Sequence, residues 1–229
     1  MSNEQKKHED GFEQLEGALT TSEQFIEKNQ KMIIYVVIGL LIVIAAYFGY
    51  NKFIGDPQET EAAGQIFSAQ NYFEKDSFNL ALKGDGNALG FIEIANKYSS
   101  TPTGNLANYY AGLSYLYTGD YQNAIKHLDK FSSDDLLLGN MAIANIGDAY
   151  MQLGDYKKAA DYYKKAAGEK NNDFSTPIFL MKNALALEKA GDNKAALQVY
   201  EQIETEYPAS PEARDIEKYI ERAQLKLKK

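Results

Sequence analysis

Catalytic chemistry has few handles in this sequence, which holds two histidines and no cysteine in 229 residues. Thiol and thiolate–metal chemistry are thereby removed, and imidazole chemistry is reduced to His8 and His127. His8 falls in a polar amino-terminal arm. His127 stands between Lys126 and Leu128 on a helical segment, where a solvated side chain is expected. The pair Asp134-Asp135 follows Ser132-Ser133 just ahead of a helix, where acids complement the positive end of the dipole rather than hold a cation. No glycine-rich phosphate loop follows a strand, and no strand is evident. The expectation is a chain with no catalytic residue, no cofactor and no metal. What remains is contact chemistry. Tyr109, Tyr110, Leu113, Tyr117, Asn145, Asp148, Met151, Lys182, Leu185 and Glu188 fall at equivalent positions of successive helices. Together they would make a protein-binding groove, with tyrosine rings that bury area while keeping a polar tip and methionine as an adaptable contact.

Those helices are set by a repeat. Three segments align on a Gly-Asp turn at Gly119-Asp120, Gly154-Asp155 and Gly191-Asp192, the glycines being 35 and 37 residues apart. Before each turn a small residue recurs (Gly112, Gly147, Ala184), followed by a larger one (Tyr115, Tyr150, Leu187). After each turn come Ala124, Ala159 and Ala196, then Leu128, Tyr163 and Tyr200. Small residues on both helices let the backbones approach, and the large ones fill the space between hairpins. A glycine at the turn accepts a backbone conformation that costs other residues strain. This is the tetratricopeptide pattern of helical hairpins stacked into a solenoid. Asn79 to Tyr98 reads as a degraded fourth member around Gly84-Asp85, with Gln58 to Leu82 as its long first helix. Pro208 falls where a repeat ends. Ser210-Pro211-Glu212 is a helix start, serine as cap and proline in the first turn. Ala213, Ile216, Ile220, Ala223 and Leu227 then give a helix that covers the last repeat, with Lys226, Lys228 and Lys229 suiting its negative end.

Ahead of the repeats, residues 32–51 are free of charge, and eleven of the twenty are Ile, Val, Leu or Phe. As a helix they rise about 30 Å, the thickness of a bilayer's hydrocarbon core. Insertion is worth on the order of −3 to −7 kcal/mol, with no charge to oppose it. Tyr35, Tyr47 and Tyr50 lie near the ends, where an amphipathic ring suits the headgroups. The head is too long and mixed, and the apolar run too long, for a cleaved signal peptide. Lys28 and Lys31 lie before the span, with Lys6 and Lys7 further out. After it come Lys52 and then none until Lys75, a bias that places the amino terminus in the cytoplasm. The fold expectation is therefore all-α. Residues 1–31 form a cytoplasmic tail, disordered until Ser22 caps a helix that runs into the span. Residues 32–51 form a single transmembrane helix, and residues 52–229 a tetratricopeptide α-solenoid of about four hairpins plus a carboxyl-terminal capping helix. In a bacterium the solenoid would face the periplasm from the inner membrane. Nucleic acid is disfavoured: the whole chain carries a formal charge of −8, with no basic stripe to meet phosphates.

Glu23-Gln24-Phe25-Ile26-Glu27-Lys28-Asn29-Gln30, the span, and Gly104-Asn105-Leu106-Ala107 carry a further resemblance. With them the chain resembles the ancillary subunits of the bacterial SecYEG translocon, the YfgM type, over most of its length. That resemblance implies a non-enzymatic role beside the translocon, binding translocating polypeptides as they emerge and passing them on together with a membrane-anchored, periplasmic prolyl-isomerase-like chaperone. Composition and spacing alone imply a membrane-anchored protein-binding scaffold in contact with membrane lipid. Two other functions fit the same residues: a scaffold for outer-membrane assembly or cell division, and an adaptor facing the cytoplasm if the span inserts the other way. Tetratricopeptide domains that grip a terminal carboxylate use lysine, asparagine and arginine where Tyr109 and Leu113 stand, so that clamp is not expected.

Overall fold

The computed structural model describes residues 3–168 and 172–228, with side chains from residue 25 onward apart from Leu136. Among these residues there are helices and turns and no strand. Two units divide the chain, Met1–Pro57 and Gln58–Lys229.

In the first unit, α1 (Asn3–Tyr50) leads into a π-helical turn, Asn51–Gly55. Helix therefore begins well before Ser22, which lies inside α1 rather than at its start. The disordered arm expected there is replaced by helix because the stretch is built from Glu, Gln, Lys and Leu and holds no proline, so its intrinsic preference is helical. The side chains of His8, Phe12, Leu15 and Leu19, and all of Lys229, lie outside the described residues. The helical run from Phe25 onward is long and apolar enough to cross a membrane, and its most apolar window has no residue buried by protein. A core helix of a soluble domain would bury that face. Tyr47, Phe48, Tyr50 and Phe53 all stand exposed where the apolar run ends, beside Lys52.

The second unit holds most of α2 (Asp56–Glu74), then α3 (Phe78–Lys83), α4 (Phe91–Lys97), α5 (Pro102–Tyr117) and α6 (Tyr121–Leu128). It continues with α7 (Leu136–Gln152), α8 (Tyr156–Ala167), α9 (Thr176–Lys189), α10 (Asn193–Glu206) and α11 (Ile216–Leu227). One device joins the helices of each hairpin. Gly119, Gly154 and Gly191 have φ of 81°, 77° and 84°. Each donates its N–H back to Leu116, Met151 or Glu188, and the following aspartate's N–H reaches the carbonyl of Tyr115, Tyr150 or Leu187. That is a Schellman closure of the first helix. The same aspartate then caps the second: the carboxylates of Asp120, Asp155 and Asp192 accept from the N–H groups of Asn123, Lys158 and Ala195. Two residues thus end one helix and start the next, which is why Gly-Asp recurs.

The small residues act as the spacing requires. A methyl added at Gly112 would lie 2.5 Å from Leu128 Cγ, and one at Gly147 would lie 2.7 Å from the Tyr163 ring. Ala184, Ala124, Ala159 and Ala196 are each fully buried. Three apolar clusters follow one another along the array. Ala62, Ile66, Leu82, Phe91, Ile94 and Tyr98 lead the first; Tyr109, Leu128, Ala142 and Ile146 form the second; Tyr163, Phe179, Tyr200, Ile203 and Ile216 centre the third.

Three boundaries differ from the expectation. The long helix expected for Gln58 to Leu82 is broken into α2 and α3. Asp76 takes φ 56°, and the N–H of Ser77 closes onto Tyr72, another Schellman end with aspartate in the glycine's place. Around Gly84 the pattern degrades because Asp85 caps no helix. Its Oδ1 accepts from the N–H groups of Asn87 and Ala88, and α4 starts only at Phe91. At the other end, Ser210 does accept from Ala213, but into a single 3₁₀ turn, Pro211–Ala213, and α11 proper begins at Ile216.

Candidate functional site

Successive first helices of the hairpins line one groove. Leu113, Leu116 and Tyr117 of α5 face Asn145, Asp148, Met151 and Gln152 of α7, with Tyr121 and Tyr163 at the margins, around a cavity of about 430 Å³. Met151 is shared with a second cavity of about 430 Å³, completed by Leu185, Glu188 and Lys189 of α9 and Arg222 and Lys226 of α11. The groove therefore runs from α5 to α11.

Of the ten residues singled out from the sequence, Leu113, Tyr117, Asn145, Asp148, Met151, Leu185 and Glu188 line these two cavities. Lys182 stands beside them through its ion pair with Asp148. The two leading tyrosines do not line them. Tyr109 is 7% exposed and packs with Leu128, Ala142 and Ile146, its ring 5.0 Å from that of Phe131. Burial raises its hydroxyl pKa, partly offset by a hydrogen bond with Asn145. Tyr110 stacks on Phe91 at 5.1 Å and meets the edge of Phe73 at 5.3 Å. Tyr109 lies roughly 80° around the helix from Tyr117, which turns it into the packing between hairpins. Tyr110 shares the side of Tyr117 but sits two turns earlier, where Phe73 of α2 and Phe91 of α4 cover it. Tyr117 is 65% exposed and stacked at 4.7 Å on Phe78 of the irregular α3, which fixes its ring at the groove's edge.

The polar floor is tied across repeats. Lys182 Nζ donates to both oxygens of Asp148 at 2.8 Å, and the Tyr163 hydroxyl donates to Asp148 Oδ1 at 2.6 Å. Burial and that carboxylate push the Tyr163 hydroxyl well above its usual range. One repeat on, Arg222 donates from Nε (3.1 Å) and Nη2 (2.5 Å) to the two oxygens of Glu188, with Lys226 at 3.7 Å. In each pair the basic residue follows the acid by 34 positions, one repeat length. That offset was the sequence signal for Arg222. Reading Lys226 as a dipole partner missed its place in the groove.

His127 is also placed differently from the expectation. It is buried, stacked 5.5 Å from Tyr115, with Nδ1 3.0 Å from Asn108 Oδ1. Asn108 spends its amide on the carbonyl of Gly104, so its oxygen faces the ring and the histidine donates from Nδ1. The short α6 turns this residue inward onto α5. Burial, with Lys130 and Lys126 nearby, lowers its pKa. The unfolded chain therefore binds a proton below about pH 6.5 that the folded chain resists. Stability is full above that value and falls as pH drops toward the depressed folded pKa. Urea titrations from pH 7.5 to 5 are expected to show this loss in the wild type and a smaller one in His127→Gln. Equal slopes would mean that the ring titrates freely when folded. Asp135 behaves as expected, capping α7 by accepting from Leu138 N–H at 2.8 Å.

This is the architecture of a tetratricopeptide-repeat solenoid, and sequence comparison agrees. Tetratricopeptide-repeat family models match residues 109–174 and 180–210. Among solved structures, the chain is similar to the nearly identical TPR-like repeats assigned to a kinesin light chain of Podosopora anserina. The TM-score is 0.56 at 13% identity, over 74% of this chain and 88% of that one. A single-substitution form of the same repeats gives 0.55 at 14%, over 74% and 87%. At such identity the likeness concerns the fold. No curated protein matches in sequence.

Proposed function

We propose that this chain is a non-catalytic, membrane-anchored scaffold that holds other polypeptides in the α5–α11 groove and works beside the SecYEG translocon at a bacterial inner membrane. The observation that carries the binding reading is the groove itself: tyrosine, leucine and methionine along one wall, with a floor of ion pairs that keeps its shape. Such a lining suits extended chain, because rings and thioether adapt to varied side chains without demanding a fixed partner surface. The unburied apolar run of α1, edged by exposed aromatics and Lys52, supports the anchor. Lysines concentrated before the span support a cytoplasmic amino terminus and a periplasmic solenoid. The translocon and a periplasmic prolyl-isomerase-like chaperone as partners rest on the resemblance of Glu23 to Gln30, the span and Gly104 to Ala107 to the YfgM type.

The test is purification of the full chain from detergent-solubilised membranes, with the co-purifying proteins identified by mass spectrometry. Recovery of the channel subunits with the chaperone is the expected outcome. Recovery of outer-membrane-assembly or division proteins instead would reassign the scaffold. A carboxyl-terminal reporter active only in the cytoplasm should stay silent; activity there would reverse the topology.

A further inference from the structure

The two halves of the groove differ in chemistry. At the α5–α7 end its lining is aromatic and aliphatic with two neutral amides, Asn145 and Gln152, and its one acid, Asp148, is neutralised by Lys182. At the α9–α11 end the lining includes Lys189, Arg222 and Lys226, and the surface continues to Lys218 and Glu221. Against a chain of formal charge −8, this end carries four cations and two acids.

Arg222 is the organised member. Glu188, whose side chain is 7% exposed, takes two of its N–H groups, and the guanidinium lies 4.7 Å from the centre of the Tyr219 ring. A guanidinium carries five N–H donors; two go to Glu188 and the Tyr200 hydroxyl interacts with a third, which leaves two for a further anion. Being held in place by an ion pair and a ring, it loses little freedom on meeting a second anion. Glu188 thus serves as the buried support for an arginine whose outer edge stays in reach of solvent, its side chain being 39% exposed. Lys189 and Lys218 are exposed and have no acid partner within ion-pair distance among the described residues.

We propose, building on the groove reading above, that the occupant is an extended polypeptide segment of mixed chemistry: an aromatic or aliphatic residue seated against Leu113, Tyr117 and Met151, and carboxylates met by Arg222, Lys226 and Lys189. The centres of these contacts lie two helix spacings apart, on the order of 20 Å, which about six residues of extended chain span. Acidic segments are selected over neutral ones, and basic segments are turned away.

The full chain in detergent micelles can be titrated against fluorescein-labelled synthetic peptides by anisotropy. One probe carries Leu-Tyr, a six-residue Gly/Ser/Thr spacer and Asp-Glu-Asp; the second carries Asn-Gln-Asn in place of the acids. The acidic probe is expected to bind at least about tenfold more tightly at low salt, as charge-assisted contacts imply, and to lose most of that advantage in 0.5 M NaCl. Arg222→Gln should bring the two affinities within about threefold. Because that change leaves the buried Glu188 with only the longer contact to Lys226 and could unfold α11, Lys189→Gln/Lys226→Gln provides an independent variant that keeps the Glu188–Arg222 pair. It should remove at least half of the preference on a logarithmic scale. Equal binding of both probes to the wild type would overturn the charge selection while leaving the groove reading intact. Failure of both to bind would overturn both, and an acidic preference undiminished in Lys189→Gln/Lys226→Gln would place the recognition elsewhere.

Discussion

Tyr109→Ala is expected to cost about 3–5 kcal/mol of stability, the range for truncating a large aromatic in a packed core. Its ring is 7% exposed and fills the space between α5 and α7 against Leu128, Ala142, Ile146 and Phe131. Tyr117→Ala, eight residues along the same helix, should cost about 1 kcal/mol or less, because that ring is 65% exposed and loses chiefly one stacking partner, Phe78. Peptide capture should separate the two in the opposite sense. Tyr117→Ala lowers affinity in a protein that still melts near the wild type, whereas Tyr109→Ala lowers the melting temperature by many degrees. Circular dichroism melts beside the anisotropy titration decide it. If Tyr109→Ala melts as the wild type does, its ring does not hold the array together, and the assignment of core and groove along α5 is inverted.

That pair also marks the limit of what the sequence encodes legibly. The repeat was legible because its requirements are local: a glycine that must take positive φ, an aspartate that caps the next helix, small residues where backbones approach. Each leaves a fixed residue type at a fixed offset, so Gly119, Asp120, Gly147 and Ala159 could be placed from spacing alone. The burial of the two leading tyrosines could not. Tyr109 and Tyr110 share α5 with the groove residues Leu113 and Tyr117, and whether a ring on that helix is covered depends on where α2, α4 and α7 pack. His127 was misplaced for the same reason: its place between Lys126 and Leu128 suggested solvent, while the twist of a short helix turned the ring onto Asn108 and Tyr115. The break at Asp76 was hidden because aspartate adopts the left-handed conformation less often than glycine and so gives a weaker signal. Inter-repeat ion pairs were encoded, but at a distance of 34 residues, where only knowledge of the repeat length makes Glu188 and Arg222 neighbours.

Shortening the chain after Ser210 should have the larger structural effect of any change outside the hairpins. The removed residues include Ile216 and Ala223, both buried, and Tyr219 and Ile220, both packed against the third cluster. At roughly 1.5–3 kcal/mol for a fully buried isoleucine and less for the others, the lost burial is on the order of 5 kcal/mol. The damage falls on α10, because Tyr200 and Ile203, fully buried in the intact chain, would face water. A stack whose repeats touch only their neighbours unravels from an uncovered end, so the loss should be graded. Hydrogen exchange of the shortened chain should show α9 and α10 amides losing protection while α5 to α8 keep theirs. The point variant Ile216→Asp should reproduce the pattern more weakly, since it leaves α11 present but places a charge against Tyr200's surroundings. Uniform loss of protection across all repeats would instead mean that the array folds as one cooperative block. Unchanged protection in α10 would mean that α11 covers nothing the array needs.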